Sequence, residues 1–205
     1  GVISLVKHGI PVQISCPIMK KNLDSYKEIK EWAAQYNVSV GYDYTLIRQY
    51  DGRSTNLCHR LNEKEIEQVI TDELTTNENY KKELMNEATE NRNKTQDDYI
   101  CSVCNSSICI AQNGNVFPCA GWQNYILGNL SNNSLADIWY HSKKVQYLRN
   151  LKRKDFKKCN NCQQRDYCTI CMVRNFNESP RKDPLDISKY FCKVAEIKKR
   201  LAEKE

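Results

Sequence analysis

The run CNNCQQRDYCTIC at residues 159–171 decides the fold of this chain, because it brings four cysteines together within thirteen residues. Its apolar content is too low for the run to fold without a cross-link. Four further cysteines flank the run and complete a set of eight: Cys101, Cys104, Cys119 and Cys192. Four thiolates are the ligand set of one iron–sulfur cluster or of one structural zinc ion, so the eight thiols predict two closed metal sites.

The composition limits the classes of protein to which the chain can belong. It has 205 residues, 40% of them apolar, and can therefore bury a core. No stretch approaches the ~18 apolar residues of a membrane span. The first ten residues, GVISLVKHGI, hold too short an apolar run for a signal peptide. We expect a cytoplasmic protein without a membrane partner.

The thiols are expected to bind metal, because short CxxC steps and an odd total of eleven cysteines do not suit a disulfide framework. The net charge is +6, and basic residues concentrate after residue 140, in segments such as 152–154 and 198–200. We interpret these segments as solvated helix faces. A recognition motif and interleaved aromatic residues are both missing, so we expect no nucleic-acid partner.

Three cysteines lie outside the set of eight. Cys109 and Cys16 stand in strand-like runs and are expected to be buried, inert thiols. Cys58 is followed by His59, but adjacent residues on a strand point apart, so we do not expect a nucleophile pair. The other two histidines lack metal-like partner spacing and are predicted to be surface residues: His8 and His141.

The first half of the chain reads as strand, helix, strand and then paired helices. Residues 11–16 and 38–47 are β-rich, and apolar residues recur at helical spacing between 23 and 36. This pattern predicts a βαβ unit, which needs neighbours to bury its parallel strands. Residues 62–88 read as helical, with a weak break at 75–77.

The second half mixes short strands with helices. The polar stretch 89–98 reads as a linker, and Asn113-Gly114 between two apolar runs predicts a hairpin with a two-residue turn. Ser134 is placed to cap a helix that runs to residue 151, and the tail from Asp186 reads as helical. The predicted fold class is α+β, with a small cysteine-rich, metal-stapled domain that contains a β-hairpin and helices.

The cysteine spacing resembles the SPASM domain, the twin-cluster extension of radical S-adenosylmethionine enzymes that modify peptides and proteins. That family's pattern is a cysteine, nine to fifteen residues, Gly-x4-Cys, and then Cys-x2-Cys-x5-Cys-x3-Cys with a final cysteine. Residues 101–192 match it, including Gly114 before Cys119 and the LGNL at 127–130. The interval between Cys168 and Cys171 is one residue shorter than in the family.

The resemblance implies two interleaved [4Fe-4S] clusters. The first set of ligands would be Cys101, Cys104, Cys119 and Cys171. The second set would be Cys159, Cys162, Cys168 and Cys192. In sulfatase-maturing relatives an Asp directly follows the third cysteine and acts as a base. Ala120 stands there in this chain, so the resemblance favours peptide maturation over sulfatase maturation.

The segment 9–46 is also similar to the last strand–helix–strand portion of a radical S-adenosylmethionine partial barrel, with Ile18–Asn22 at the strand end. The resemblances together divide the chain into a barrel remnant (1–60), a helical connector and linker (61–98), the SPASM-like domain (99–192) and a C-terminal helix (193–205). The catalytic motif CxxxCxxC is missing from the sequence. We therefore expect the C-terminal part of a longer enzyme, unable by itself to cleave S-adenosylmethionine.

The implied partners are a peptide or protein substrate and the missing N-terminal radical core, where S-adenosylmethionine would bind. The sequence identifies no catalytic residue. A different class, a non-catalytic zinc-binding interaction module, uses the same thiolates, because tetrahedral S4 sites suit zinc as well as iron–sulfur clusters. A ferredoxin is disfavoured, since the Cys-x2-Cys-x2-Cys-x3-Cys-Pro run is absent.

Overall fold

A computed structural model describes residues Gly1–Lys204 as a mixture of helices and short strands. The helices are α1 (Val2–Lys7), α2 (Tyr26–Ala34), α3 (Glu63–Thr76), α4 (Glu78–Asn93), α5 (Leu135–His141), α6 (Lys143–Asn150), α7 (Met172–Glu178) and α8 (Lys189–Ala202). The strands are β1 (Gln13–Pro17), β2 (Ser39–Asp43), β3 (Cys109–Ile110), β4 (Asn115–Phe117) and β5 (Gly128–Asn129). Short 3-10 turns lie at Lys20–Asn22, Thr55–His59, Arg153–Asp155, Lys157–Cys159 and Arg165–Tyr167.

The predicted βαβ unit is present. Strands β1 and β2 pair in parallel, from Gln13 opposite Ser39 to Pro17 opposite Asp43, and α2 connects them. The second strand is shorter than the β-rich run 38–47, because the chain leaves the sheet after Asp43. In the described part of the chain this sheet has two strands, and the mixture of helix and sheet agrees with an α+β fold.

Helices α3 and α8 supply the neighbours that the βαβ unit needs. Ile66, Val69 and Ile70 of α3 pack with Val194 and Ile197 of α8 against buried residues of the unit. The last helix therefore folds back onto the first sixty residues.

The break within the paired helices falls where the sequence predicts it. Asn77 ends α3, and its side chain caps α4 by accepting a hydrogen bond from the Tyr80 N–H at 3.3 Å. The second helix continues to Asn93, so the prediction of a linker is wrong for residues 89–93. The reason is a long-range contact, because Asn91 on this stretch is buried and bonds to the cysteine run.

The predicted hairpin forms with a different turn. The Ala111 N–H bonds to the Asn115 carbonyl and the Gly114 N–H to the Ala111 carbonyl, each at 2.9 Å. Gly114 has φ +78°, whereas Asn113 does not adopt positive φ. The connection is therefore a three-residue loop with glycine in the left-handed position, and the two-residue turn is wrong. Strand β5 extends the hairpin into a three-stranded antiparallel sheet.

A second core lies beside this sheet. Ser134 caps α5 as predicted, accepting the Asp137 N–H at 3.1 Å. The expected single helix is two, because Ser142 is extended and its hydroxyl bonds to the Leu127 carbonyl at 3.3 Å. The fully buried residues of this core include Trp122, Val116, Val145 and Leu148.

A largely buried ion pair joins the two halves of the chain. The Arg60 guanidinium donates to both carboxylate oxygens of Glu178 at 2.6 and 3.2 Å, and its side chain is 13% exposed against 11% for Glu178. Arg60 also donates to the Leu46 carbonyl at 2.7 Å and lies 4.3 Å from the Tyr190 ring centre. Glu178 further accepts the Arg48 N–H at 3.0 Å, so both charges have several partners.

Gly128 is required by close packing. A Cβ added there would lie 2.8 Å from two carbons of Ile138, which is itself buried. We expect Gly128→Ala to lower the free energy of unfolding by about 1–3 kcal/mol. The matched control is Gly41→Ala in β2, where the nearest atom would be 3.5 Å away. Denaturant unfolding measures both, and equal stability of the two variants would contradict the packing argument.

Removing Glu178 should leave a buried positive charge without its partner. We expect Glu178→Ala to cost about 3–5 kcal/mol in unfolding experiments. The exposed pair between Arg200 and Glu67, at 2.8 Å and about 40% exposed, provides the control. Glu67→Ala should cost much less, because solvent screens an exposed pair. Similar losses in the two variants would show that burial does not strengthen the Arg60–Glu178 pair.

Candidate metal centre

The cysteine run 159–171 is fixed by polar contacts to two helices. From α4, the Asn91 amide donates to the Asp166 carbonyl at 3.0 Å and the Arg92 guanidinium to the Asp166 carboxylate at 2.9 Å. From α8, the Lys199 ammonium donates to the Gln163 carbonyl at 3.0 Å. These long-range bonds were not predicted from the sequence, because nothing local marks them.

One aromatic side chain anchors the same run by apolar burial. Tyr167 is 3% exposed and packs with Leu84 and Ala88 of α4 and Ala202 of α8. It is the single aromatic residue in the run, and that position was the signal that could have indicated an anchor. The run is therefore held by protein contacts in addition to any cross-link.

The first thiol group comprises Cys101, Cys104, Cys119 and Cys171. Burial raises the pKa of the Cys104 thiol to about 11, and the nearby Cys101 and Cys119 raise it further. Burial also raises the pKa of Cys119, to which Cys171 and Cys101 add. Cys171 acts in the same way on Cys101. These electrostatic effects connect the four thiols with one another, Cys109 also acts on Cys119, and Cys171 lies at the start of α7 and lines the cavity of the second group as well.

Cys104 is held in an unusual backbone conformation. Its φ is +58°, a left-handed value that costs a non-glycine residue ~1–2 kcal/mol. The Cys104 carbonyl accepts the Arg149 Nε–H at 2.7 Å, and the Cys104 N–H bonds to the Ser107 carbonyl at 3.0 Å. Cys104 is also fully buried, so the fold fixes the position of this thiol at a conformational cost.

The second thiol group comprises Cys159, Cys162, Cys168 and Cys192. Burial raises the pKa of Cys168 to about 12, with further contributions from Cys159, Cys192 and Cys162. All four thiols line one cavity of about 320 Å³, whose wall also includes Cys171. Cys192 lies in the first turn of α8, where the partial positive charge of a helix N-terminus favours thiolates.

The cysteines of the two groups differ in their solvent exposure. Within the first group Cys104 is buried and Cys101 exposed, and within the second group Cys192 is exposed while the others are half-buried. Main-chain N–H groups of Val103 and Gly121 point at the sulfurs of Cys101 and Cys119 and act against the rise in pKa. Such N–H···S hydrogen bonds are one of the factors that set the potentials of iron–sulfur sites.

Residues outside the set of eight differ partly from expectation. Cys16 is buried as predicted, and the surface positions of His8 and His141 are confirmed. Cys109 is half-buried instead of buried, because it lies on a short edge strand, and its charge contributes to the raised pKa of Cys119. Cys58 lies in a 3-10 turn, not a strand, and its thiol donates to the Thr55 carbonyl at 3.0 Å.

The donor chemistry fits a metal cluster. All eleven cysteines are free thiols, and the set of eight forms two groups without a carboxylate or imidazole among them. Within Gly1–Lys204, no three His, Cys, Asp or Glu side chains lie close enough together to hold a single metal ion. Soft thiolate ligands select iron–sulfur clusters, zinc or Cu(I).

Within Gly1–Lys204, none of the helices combines the length and the hydropathy that a membrane-spanning helix requires.

The raised thiol pKa values give the metal-free protein a defined pH dependence. An ordinary thiol here has a pKa of 9.0, and folding raises that of Cys168 to about 12. Its contribution to stability is therefore complete below pH 9 and is lost as the pH rises toward 12. Urea unfolding of reduced, metal-free protein at pH 8 to 11 measures this loss.

Substitution separates the thiol effect from other groups that titrate at high pH. Cys168→Ala should flatten the alkaline decline, whereas Cys58→Ala, which removes an exposed thiol, should leave the decline unchanged. An identical decline in all three proteins would contradict the assignment.

A comparison with known families matches part of the cysteine-rich region. Residues 101–163 match the sequence model of the SPASM family, described as an iron–sulfur cluster-binding domain. The expected SPASM resemblance is thereby confirmed for this segment, which holds five of the eight thiols. Comparisons with curated proteins and with solved structures each gave no match. Residues 101–163 are thus similar to a family whose description is iron–sulfur cluster binding.

Proposed function

We propose that this chain holds two [4Fe-4S] clusters and serves as the auxiliary-cluster region of a radical S-adenosylmethionine enzyme that modifies a peptide or protein. The observation that carries the proposal is that Cys159, Cys162, Cys168 and Cys192 line one cavity, while electrostatic effects on thiol pKa values connect the other four cysteines of the set. The first group would hold one cluster and the second group the other.

Cys171 and Cys192 support the crossed assignment of ligands. Cys171 belongs to the run that supplies the second group, yet its electrostatic neighbours are Cys101 and Cys119. Cys192 comes from α8 and acts together with Cys159 and Cys168. The same crossing is what the SPASM resemblance implies.

The residues of the chain would bind and orient the clusters. Thiolates must form before they ligate, so binding releases protons from thiols whose pKa burial has raised. Arg149 positions Cys104 through its carbonyl, and α8 presents Cys192 at a helix N-terminus. When bound, iron–sulfur clusters supply single-electron transfer or an iron site for substrate.

A cavity next to the second thiol group supports a role close to a substrate. It has a volume of about 380 Å³, lies at the carboxyl end of β2 and shares Cys168, Thr169 and Arg174 with the thiol cavity. Ligands of parallel α/β sheets bind beyond the carboxyl ends of the strands. We assign this cavity to part of the peptide substrate.

The radical reaction itself would need a catalytic domain outside this sequence. The parallel βαβ unit supports a relation to a radical S-adenosylmethionine barrel. The sequence contains no CxxxCxxC, the motif on which cleavage of S-adenosylmethionine depends in that family. We therefore propose that this chain contributes cluster binding and that the catalytic cluster belongs to the missing core.

Anaerobic reconstitution with iron and sulfide tests the cluster proposal. The wild-type protein should become brown and show the broad visible absorption of iron–sulfur clusters. Cys168→Ala and Cys104→Ala should each lose about half of the bound iron, because each removes a ligand from one group. Iron and sulfide analysis, with visible spectra, gives the readout.

One control variant and one contrary result make the experiment decisive. Cys58→Ala changes an exposed thiol outside both groups and should retain all the iron. A folded wild-type protein that stays colourless, takes up no iron and binds zinc would support a zinc-binding module in place of the proposal.

A further inference from the structure

We propose that Lys158 and Lys189, with Arg165 and Arg174, raise the reduction potential of the cluster in the second thiol group above that in the first, an inference that rests on the proposed function. These four side chains line the second thiol cavity. They would act as tuning residues, which touch the surroundings of the cluster and do not ligate it.

The charged side chains in the wall of this cavity are all positive. Its wall contains four cationic side chains and, among the residues that the structure describes, no carboxylate. Apolar side chains fill much of the remaining wall, notably Ile170, Ile187 and Phe191. Charges act more strongly across apolar surroundings than across water, so the cations influence whatever the thiols hold.

The arginines are partly engaged by protein groups. Arg165 donates to the carbonyls of Arg92 and Lys94 at 3.3 and 3.1 Å. Arg174 stands 3.9 Å from the Asp43 carboxylate and 5.1 Å from the Phe191 ring centre. Arg165 also stands 3.8 Å from the Asp166 carboxylate, so the charges of both arginines are partly compensated.

Of the four cations that line the cavity, the two lysines have no carboxylate partner. Within Gly1–Lys204 neither Lys158 nor Lys189 has a carboxylate within 4.0 Å. Lys158 acts on the thiols, since it opposes the effect of burial on the pKa of both Cys159 and Cys192. Both lysines are exposed, so salt should weaken their influence.

Among the described residues of the first thiol group, Cys171 alone lies on this cationic wall. Arg149 is the cation that lowers the pKa of Cys104 against the effect of burial, and its guanidinium is engaged by the carbonyls of Cys104 and Trp139 at 2.7 and 2.9 Å. A cluster with four thiolates is anionic and gains a further negative charge on reduction. Nearby cations favour that form, and net charge is one of the factors that set cluster potentials.

The experiment is a potentiometric titration of the reconstituted chain, with dithionite as electron donor and redox mediators. The wild type should show two midpoint potentials, and Cys168→Ala should remove the more positive one. In the Cys104→Ala background, Lys158→Gln should lower the remaining potential, and Lys158→Glu should lower it about twice as far. The same series at Lys189 should behave alike, and high salt should reduce each shift.

Lys7→Glu on α1 is the control, since it makes the same charge change at a residue that lines none of the cavities named above. Unchanged potentials in variants with full iron content would overturn the inference. Equal shifts for Gln and Glu, or loss of iron in all four lysine variants, would also overturn it in favour of a structural role. Failure of the proposed function is read separately, because the wild type would then hold no iron.

Discussion

Both halves of the molecule depend on the position of α8. One face of this helix places Val194 and Ile197 in the core over the βαβ unit. Its first turn supplies Cys192 to the second thiol group, and its last turn brings Ala202 against Tyr167 of the cysteine run. A shift of α8 would therefore disturb the apolar core and the thiol geometry together.

The parts of the fold that could be predicted are those with a local signal in the sequence. The caps at Asn77 and Ser134 and the glycine at position 114 carry local signals, and these features are present. Residues 89–93 are polar and were assigned to a linker, although they form the end of α4. Their helix is stabilised by Asn91 and Arg92 bonding to Asp166, more than seventy residues away, and no local pattern reports such a contact.

The candidate site likewise combines features that the sequence predicts with features that it does not predict. Cysteine spacing indicated two sets of four, and the family resemblance supplied the exchange of Cys171 and Cys192 between them. Spacing gave no sign of the left-handed backbone at Cys104 or of its contact with Arg149, because that contact joins residues 45 positions apart in the sequence. The cationic wall of the second cavity was also unpredictable, since its members come from three separate segments: the cysteine run and residues before it, α7, and α8.

Each thiol group contains one exposed cysteine residue, Cys101 in the first and Cys192 in the second, while its other members are buried or half-buried. Oxidants and exogenous thiols reach a metal site most easily through its exposed ligand. Oxidative damage to the proposed clusters should therefore begin at Cys101 and Cys192 and leave the other three proposed ligands of each group in place. Repair would then need one oxidised cysteine in each group to be reduced to its thiol by an external reductant, such as a low-molecular-weight thiol, with the other three thiols still held in place by the fold.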